Sequence, residues 1–537
     1  MSAHTVHSDS QAHSAPSAIE WLCIILTLLL AAALRFVDLE QVPPALSVDE
    51  ALNGYEAYSL LETGRDEWGT PWPVTIRGFN DYRRPAIIYT AIPFIAVFGP
   101  TVFGIRATAA TWGLMGVLLT YRLARDMFGQ RAGILAGLML TISPWHLHFS
   151  RIGLEATVAM FSVTLGVWCI WRWFRSKRRA WLAGVGLTFG LSLYTYTPAQ
   201  AFTPLMLMTC GLILARRLWQ QKQTAALAVL LFVLIAVPLA HALVTNPQNQ
   251  NRLDNVFLFH PGEPLAQPLN TAVRQWLGHF SPDYLFIHGD AHKVLHPPGS
   301  GQLHTVDALL LPLGVLGLFQ AKDKNRENRY AGALLVAWIA LGAVPAALTI
   351  QEVGTAHSLR GMLGVPAFAI ISARGMIEVS AMRRVGPRLR AALLGILAGI
   401  LVWNAATFLQ RYFVVYPVRA ARAYEYGVRE AIEYVSAHEA EYDTIVLTNW
   451  ISQPHIFALF FQRYDPRRFQ ALPVEYDQTL SAKLTRWDKY QVGDVDKLYT
   501  LLDHGLFVAR PHMLPGVEPL LTIYHPDGSP AFNIISK

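Results

Sequence analysis

Two adjacent carboxylates, Asp49 and Glu50, stand in the stretch LSVDEALNGY at residues 46–55, shortly after a long apolar run. A charged group beside apolar, membrane-like sequence is costly unless it is paired or used. A carboxylate in such a place can act as a general base and take a proton from an attacking hydroxyl group. A structural interpretation is also open, because Ser47 with Glu50 three residues later is the pattern of a helix capping box.

Further ionisable residues occur in segments that we expect at the same end of the apolar runs. They are Arg83 and Arg84 in NDYRRP, Arg151 and Glu155 in HFSRIGLEA, His288 and Asp290 in FIHGDAH, and His357 and Arg360 in AHSLRG. Arginine is suited to bidentate binding of phosphate. Carboxylates and guanidinium groups gathered in one polar cavity would suit transfer of a group from a phosphate-bearing substrate.

The arginines also have structural interpretations. Arg83 and Arg84 could anchor at lipid headgroups, as arginines near a membrane edge often do. Arg151 and Glu155 are four residues apart and could pair on one helix face. Arg360 stands where an apolar run begins and could be a topology signal.

The remaining polar candidates are weaker. His288, Asp290 and His292 have a spacing that could ligate a metal ion, but a solvated loop or a sugar contact is favoured over a metal site. Tyr55 and Tyr82 could stack on a sugar ring, although aromatic side chains are common at membrane interfaces in any case.

The composition is that of a membrane protein. Of the 537 residues, 53% are hydrophobic and 15% are charged, against about 25% charged in soluble proteins. The net charge of +7 sits in short basic clusters between apolar runs, which indicates cytoplasmic loops rather than nucleic-acid binding. The three cysteines all lie in apolar runs, and no metal or redox cysteine motif occurs.

Eleven apolar runs approach the length of a membrane-spanning helix. They lie at about 20–38, 103–121, 132–148, 154–172, 180–196, 200–215, 224–244, 306–320, 331–349, 361–379 and 391–410. Basic clusters follow the even-numbered runs, so the positive-inside rule predicts eleven spans with a cytoplasmic N-terminus and the C-terminus outside. The run at 85–98 is short and contains proline, so we interpret it as an interfacial or membrane-dipping helix.

This topology divides the chain into three parts. Residues 1–18 are predicted to be a disordered cytoplasmic tail, 19–410 a transmembrane domain with outer loops 39–102 and 245–305, and 411–537 a domain outside the membrane. In the last part, AYEYGVREAIEYVSAHEAEYD predicts a helix, DTIVLTN a buried strand, and LLTIYHPDGSPAFNII two strands around a turn. The predicted fold is therefore an all-α polytopic membrane protein with a small C-terminal extracytoplasmic α/β domain.

Four stretches of the sequence resemble a known superfamily. LRFVDL, SVDEALNGYEAYSLLETGRDEWG, NDYRRPAIIYTAIPFIAVFG and ISPWHLHFSRIGLEA are similar, in this order, to membrane-bound glycosyltransferases of the protein O-mannosyltransferase and aminoarabinose transferase superfamily. These enzymes share the GT-C fold, and the resemblance covers about residues 20–420. It implies an integral glycosyltransferase of the cell membrane that moves a sugar from a polyprenyl-phosphate donor to an acceptor hydroxyl on the outer face. The reaction would be a single inverting displacement.

The resemblance also implies roles for individual residues. The acidic residue near the first span, which acts as the base in the superfamily, corresponds to Asp49, with Glu50 beside it. The basic residue before a proline, which contacts the donor phosphate in related enzymes, corresponds to Arg84. The other phosphate-binding candidates are Arg83, His357 and Arg360, and the substrate-binding candidates are Tyr55, Tyr82, Arg151, Glu155, His288 and Asp290. Many relatives have Asp where this chain has Glu155, so both a metal-dependent and a metal-free reaction remain open.

The expected partners are a polyprenyl-phosphate sugar, membrane lipids and an acceptor that is a glycan, a lipid or a protein; nucleic acid is not expected. The main alternative is a membrane transporter or lipid flippase that uses the same polar cavity, because ionisable residues also mark transport paths. Against it, the two long outer loops do not look alike, whereas many transporters contain internal repeats. A second alternative is a non-catalytic membrane assembly protein.

Overall fold

The computed structural model describes residues 17–79, 81–246, 256–319, 326–382, 384–477 and 483–537. Nearly all of the predicted tail, 1–18, lies outside the described residues, and so does the part of the loop 245–305 that spans 247–255. The same holds for residues 320–325 and for residue 383, which belong to two of the predicted basic clusters.

The N-terminal three quarters of the chain is built from helices, and each of the eleven predicted apolar runs is helical over most of its length. The helices are α1 (Ala18–Phe36), α2 (Val48–Thr63), α3 (Ala86–Phe98), α4 (Val102–Phe128), α5 (Gln130–Ile142), α6 (Pro144–Phe149), α7 (Ala156–Ser176), α8 (Arg179–Ser192), α9 (Thr197–Ile213), α10 (Ala215–Gln220), α11 (Lys222–Thr245), α12 (Ala266–Gly278), α13 (Asp307–Phe319), α14 (Arg326–Gly342), α15 (Val344–Ala347), α16 (Ser358–Gly361), α17 (Val365–Ala381), α18 (Pro387–Gln410) and α19 (Tyr416–Ala420).

Seven helical segments of the described chain are long and apolar enough to cross a membrane. They are Ala18–Phe36, Val102–Phe128, Ala156–Ser176, Lys222–Thr245, Glu327–Ala347, Ser358–Ala381 and Pro387–Ala420. The other predicted spans are helices that fall short of that length. Helix α3 has 13 residues with Pro93 inside, which agrees with a short helix at 85–98. The last span runs ten residues beyond its predicted end at 410, because a π-helical turn, Arg411–Val415, joins α18 to α19.

Helix α2, which carries Asp49 and Glu50, has strong signals at both ends. The Ser47 hydroxyl accepts a hydrogen bond from the Glu50 N–H, and the Glu50 carboxylate accepts one from the Ser47 N–H, so the capping box forms. Gly64 ends the helix with a φ of 67°, in the left-handed region that glycine adopts without steric cost. These caps fix the direction in which the two carboxylates point.

The C-terminal part contains a mixed sheet. Its strands are β3 (Thr444–Thr448), β4 (Glu475–Asp477), β5 (Lys483–Trp487), β6 (Tyr490–Gly493), β7 (Gly505–Ala509), β8 (Leu521–Tyr524) and β9 (Pro530–Ser536), in the order β4-β5-β6-β3-β7-β9-β8. The helices are α20 (Val428–His438), α21 (Pro454–Phe461), α22 (Pro466–Ala471) and α23 (Val495–Leu501), and a separate hairpin pairs β1 (Ile76–Arg77) with β2 (Tyr82–Arg83).

The sheet agrees with the local predictions for this part. The predicted helix is α20, the predicted buried strand is β3, and the predicted strand pair around Pro-Asp-Gly is β8 and β9. Strand β3 lies parallel to both β6 and β7, and the remaining pairs are antiparallel. A small C-terminal α/β region beside a helical membrane part is therefore confirmed.

The first long loop and the C-terminal region share one hydrophobic core. Leu52 and Tyr55 of α2 and Ile456 and Phe460 of α21 are all fully buried in the same cluster. Each fully buried large apolar side chain stabilises the folded state by about 1.5–3 kcal/mol. At Gly54 a Cβ atom would lie only 2.4 Å from the Phe460 ring, so the close approach of α21 requires glycine there. The C-terminal region therefore packs directly against the helix that carries Asp49.

Candidate active site

Asp49 lies in the first turn of α2 and forms an ion pair with Arg83 on strand β2. The Arg83 Nη2 donates a hydrogen bond of 2.7 Å to Asp49 Oδ1. The Asp49 side chain is 42% exposed, whereas the Arg83 side chain is only 8% exposed. The guanidinium group therefore holds one oxygen of the carboxylate, while part of the Asp49 side chain is exposed.

Arg83 is the centre of a group of carboxylates. Asp81 Oδ1 lies 3.8 Å from Arg83 Nε, and the largely buried Glu155 also acts on it electrostatically. Burial by itself would lower the pKa of Arg83, but the negative charges of Asp49, Asp81 and Glu155 outweigh burial and raise that pKa above its ordinary value. The Phe79 ring supports the guanidinium, whose central carbon is 5.4 Å from the ring centroid.

Arg84 is the next residue along the chain and is held against a different part of the molecule. Its side chain is buried, and Nη2 donates to Gln200 Oε1 of α9 over 3.3 Å. The nearby Ala86 N–H donates to the Tyr194 carbonyl over 3.2 Å, which fixes the start of α3 against the end of α8. A guanidinium group in such a poorly solvated position interacts strongly with any anion that binds next to it.

Glu50 adjoins Asp49 in sequence but has different surroundings. Its side chain has no exposed surface and pairs with Arg106 of α4, with 2.9 Å between Oε1 and Nε. The same oxygen accepts the Gly153 N–H at 2.8 Å. Arg106 also donates to backbone carbonyl groups in the segment 39–45. The Glu50 carboxylate therefore links α2, α4 and two loops.

Arg151 and Glu155 do not lie on one helix face, because α7 begins only at Ala156. Arg151 is fully buried and donates to backbone carbonyl groups in the segment 34–42. This contact folds the chain that leaves α1 and keeps it in place before α2. Glu155 is largely buried, and its negative charge acts on Arg83.

The two candidate tyrosines have different environments. Tyr55 is fully buried, and its hydroxyl donates to the Tyr464 carbonyl of the C-terminal region over 3.2 Å. In this arrangement the Tyr55 ring belongs to the shared core and is not open to a sugar. Tyr82 is half-buried on β2, opposite Arg77.

Asp290, His357 and Arg360 come together in a second polar cluster at the start of α16. Asp290 Oδ2 accepts hydrogen bonds from the N–H and the hydroxyl of Ser358 at 2.7 and 2.8 Å. The His357 side chain accepts from the Arg360 N–H as the cap of α16. Arg360 Nη1 donates to Thr349 Oγ1 at 2.6 Å. The structure thus brings some of the candidate residues from distant loops together in two separate clusters, whereas the sequence predicted a single polar cavity.

His288 lies apart from its sequence neighbour Asp290. It is exposed and contacts Asp283 over 2.5 Å. His292 uses its backbone N–H to bond Asp290. Within the part of the chain that the structure describes, no group of three or more His, Cys, Asp or Glu residues is arranged to hold a metal ion.

Sequence reasoning missed two features of the site. Arg106 escaped notice although a single charge inside an apolar run is a recognisable signal of a functional or paired group. A pair of buried carboxyl groups, those of Glu56 and Glu67, was also missed. The Glu67 N–H donates to Glu56 Oε2 over 3.0 Å. Burial, with the nearby Asp66 charge, raises the pKa of Glu67 to about 8, and burial raises that of Glu56 well above its ordinary value.

The helical architecture is that of a polytopic membrane protein, and it matches solved structures of the GT-C fold. Residues 83–241 match the family model described as dolichyl-phosphate-mannose-protein mannosyltransferase. The solved structure of ArnT from Cupriavidus metallidurans bound to undecaprenyl phosphate superposes with a TM-score of 0.56 at 15% identity, over 97% of this chain and 98% of that chain. The archaeal oligosaccharyltransferase AglB from Archaeoglobus fulgidus, in complex with an inhibitory peptide and a dolichol-phosphate, superposes with a TM-score of 0.52 at 13% identity, over 83% and 64%.

Sequence relatives lead to the same superfamily. The undecaprenyl phosphate-alpha-4-amino-4-deoxy-L-arabinose arabinosyl transferase 1 of Pseudomonas fluorescens is 26% identical over 309 residues, which is 55% of this chain and 49% of that protein. The chain spans about a quarter to a half of the length of the curated relatives it matches, from 24% to 49%. The resemblance to GT-C membrane glycosyltransferases is thus confirmed, and these comparisons do not favour a transporter.

Proposed function

We propose that the chain is an integral membrane glycosyltransferase that moves a sugar from a polyprenyl-phosphate donor to an acceptor hydroxyl on the outer face of the cell membrane. The observation that carries this proposal is the half-exposed Asp49 carboxylate held by buried Arg83, next in sequence to buried Arg84, within a GT-C fold. The lipid phosphates bound by two structural neighbours, undecaprenyl phosphate and dolichol-phosphate, support a donor of this class.

In this reaction Asp49 accepts the proton of the acceptor hydroxyl while that oxygen attacks the anomeric carbon of the donor sugar. A new glycosidic C–O bond forms on one face of the sugar as the bond to the phosphate oxygen breaks on the other, so the configuration is inverted. The polyprenyl phosphate leaves with the electron pair of the broken bond. Its negative charge is stabilised by Arg84, with a contribution from Arg83.

The surrounding residues act by positioning. The Glu50–Arg106 pair fixes the first turn of α2, and with it the direction of the Asp49 side chain. Arg83 keeps the carboxylate oriented through its 2.7 Å hydrogen bond. We assign His357 and Arg360 to a second contact surface for the donor headgroup, because their cluster is built on the loops at 279–296 and 349–360.

The experiment uses the purified full-length protein in lipid nanodiscs. Undecaprenyl-phosphate-[14C]mannose and undecaprenyl-phosphate-4-amino-4-deoxy-L-arabinose are supplied as donors, with a membrane extract as the source of acceptor. We expect release of undecaprenyl phosphate and transfer of the sugar from at least one donor, both abolished in Asp49→Asn. Movement of intact donor between leaflets with no cleavage of either donor would instead identify a flippase and refute the proposal.

The topology is tested separately. A single cysteine introduced at Asp49 or in the C-terminal region is expected to react with a membrane-impermeant maleimide in intact cells. A cysteine introduced at exposed Arg178, between α7 and α8, is expected to react only after the membrane is opened. Reaction at residue 49 only from the cytoplasmic side would overturn the proposed outer-face reaction.

A further inference from the structure

The topology of the C-terminal sheet indicates a crevice at the carboxyl ends of its parallel strands. The chain leaves β3 toward the face of the sheet on which α20 and α21 pack. It leaves the neighbouring strands β6 and β7 toward the opposite face, where Val495 and Met513 are buried. Adjacent loops that turn to opposite faces leave a gap between them, and open α/β sheets bind their ligands at such a switch point.

An exposed tryptophan lies at this crevice. Trp450, in the loop after β3, has 58% of its surface exposed. The guanidinium carbon of Arg510, from the loop after β7, is 5.5 Å from the Trp450 ring centroid. The His512 ring meets Trp450 edge-on, with 6.3 Å between centroids and 89° between planes. Two residues of the loop after β7 thus contact the indole, while more than half of the surface of Trp450 remains exposed.

The loop that carries Trp450 is held firmly in shape. Lys483 Nζ, which is largely buried, donates to the Asn449 and Ile451 carbonyl groups at 2.7 and 2.8 Å. The Glu425 carboxylate accepts the Ser452 N–H at 2.7 Å. A loop that is ordered before binding loses little conformational entropy when a ligand arrives.

The guanidinium group of Arg510 also lies beside the exposed indole. Arg510 Nε is buried and has no hydrogen-bond partner among the described residues. Buried donors are normally satisfied, so this unpaired Nε is unusual and calls for an explanation. Pockets that bind small polar molecules combine such an apolar surface with a few polar groups that fix orientation.

We propose that this crevice is a carbohydrate-binding site. The C–H face of a sugar ring stacks on the open face of Trp450, and the sugar hydroxyl groups accept hydrogen bonds from the Arg510 guanidinium. The site is separate from the one proposed for sugar transfer. Its use for docking a glycan-bearing acceptor rests on the proposed function, but the binding itself does not.

The position of the crevice suits such docking. A cavity of about 180 Å³ lies between the segment 40–46 and the segment 425–433. Glu425 lines this cavity and also bonds the loop that carries Trp450. At its other side the cavity reaches Leu46, which directly precedes the Ser47 cap of α2. Glu425 therefore links the loop that carries Trp450 to a cavity that reaches the segment just before α2.

The test measures binding without turnover, in full-length protein that carries Asp49→Asn in nanodiscs. Fluorescently labelled mannohexaose and hexagalacturonate are the neutral and anionic probes, and binding is followed by fluorescence anisotropy. We expect saturable binding of at least one probe. Trp450→Ala is expected to weaken it by at least about tenfold, as is usual for truncating a central aromatic contact. Trp450→Phe should retain most of the affinity, because the ring face is kept.

The matched control is Trp403→Ala on α18, since Trp403 is 71% exposed but lies on a candidate membrane span. This variant is expected to bind the probes as tightly as its parent. Equal affinity of the Trp450→Ala variant and its parent, or failure of both oligosaccharides to bind, would overturn the proposal. Because no sugar is transferred in this assay, a negative result in the donor-cleavage experiment leaves this outcome unaffected, and the reverse also holds.

Discussion

The substitution Asp49→Asn separates catalysis from stability in this site. It keeps the size of the side chain but replaces one carboxylate oxygen by an amide nitrogen, so the proton acceptor is lost. A positioned general base contributes about 10²–10⁴ in rate. Because a factor of ten corresponds to about 1.4 kcal/mol of activation free energy, the barrier is expected to rise by about 3–5 kcal/mol. The observable consequence is a fall in kcat by the same 10²–10⁴.

The free energy of unfolding is expected to change much less. The Asp49 carboxylate is 42% exposed, and ion pairs with such exposed partners contribute about 0–1 kcal/mol. The amide oxygen of the asparagine can still accept the hydrogen bond from Arg83, and Arg83 keeps Asp81 at 3.8 Å. The capping box, which involves Glu50 and Ser47, is untouched. We therefore expect the unfolding free energy to fall by no more than about 1 kcal/mol.

The assay is donor cleavage in nanodiscs, with thermal unfolding measured on the same preparations. Asp81→Asn is the matched control, because it neutralises the other carboxylate that the structure pairs with Arg83. Its kcat is expected to stay within about tenfold of the parent, since it removes no group required by the reaction. The reasoning is refuted if Asp49→Asn keeps more than a tenth of the parent kcat, or if Asp81→Asn loses as much activity.

Three further predictions concern the groups around Asp49. Glu50→Gln leaves Arg106 buried without its counter-charge, so the unfolding free energy should fall by about 3–5 kcal/mol; a variant as stable as the parent in chemical unfolding would contradict this. Arg84→Lys loses the planar fork that matches phosphate, so the KM for the donor should rise by about tenfold with the thermal unfolding temperature nearly unchanged; an unchanged KM would remove Arg84 from the phosphate site. For Glu67, whose pKa rises in the folded state from 4.5 to about 8, the stabilisation is complete below about pH 4.5 and is lost as the pH rises through about 8. In Glu67→Gln the unfolding free energy should therefore fall less between pH 5 and 8, and the variant should be more stable than the parent at pH 8. An unchanged pH dependence would count against the raised pKa of Glu67.

Much of the fold could be predicted because its signals are local. Apolar runs of sufficient length became helices, and the two strands predicted around the Pro-Asp-Gly turn are β8 and β9. The capping box at Ser47 was also visible, since it needs only a serine and a glutamate three residues apart. The resemblance motifs identified the superfamily for the same reason, because each is a short continuous stretch of sequence.

The division of labour between Asp49 and Glu50 could not be predicted in the same way. It depends on partners far along the chain, Arg83 for Asp49 and Arg106 for Glu50. Arg151 illustrates the same limit: its spacing from Glu155 suggests a helical pair, but the helix starts one residue after Glu155, and the guanidinium is used by backbone carbonyl groups before α2. The partner of each of these side chains is set by tertiary contacts, and the spacing of residues in one sequence does not reveal those contacts.

The contact between Gly54 and Phe460 has a consequence for engineering and for the divergence of such enzymes. The Phe79 ring also contacts the His455 ring edge-on. Helix α2, which bears the proposed base, is therefore packed against the C-terminal region as well as against the helical membrane part. The C-terminal part is consequently not an interchangeable module. If it were grafted from a distant relative, its differently shaped surface would tilt that helix and misplace the carboxylate, although the graft itself would supply no reacting group.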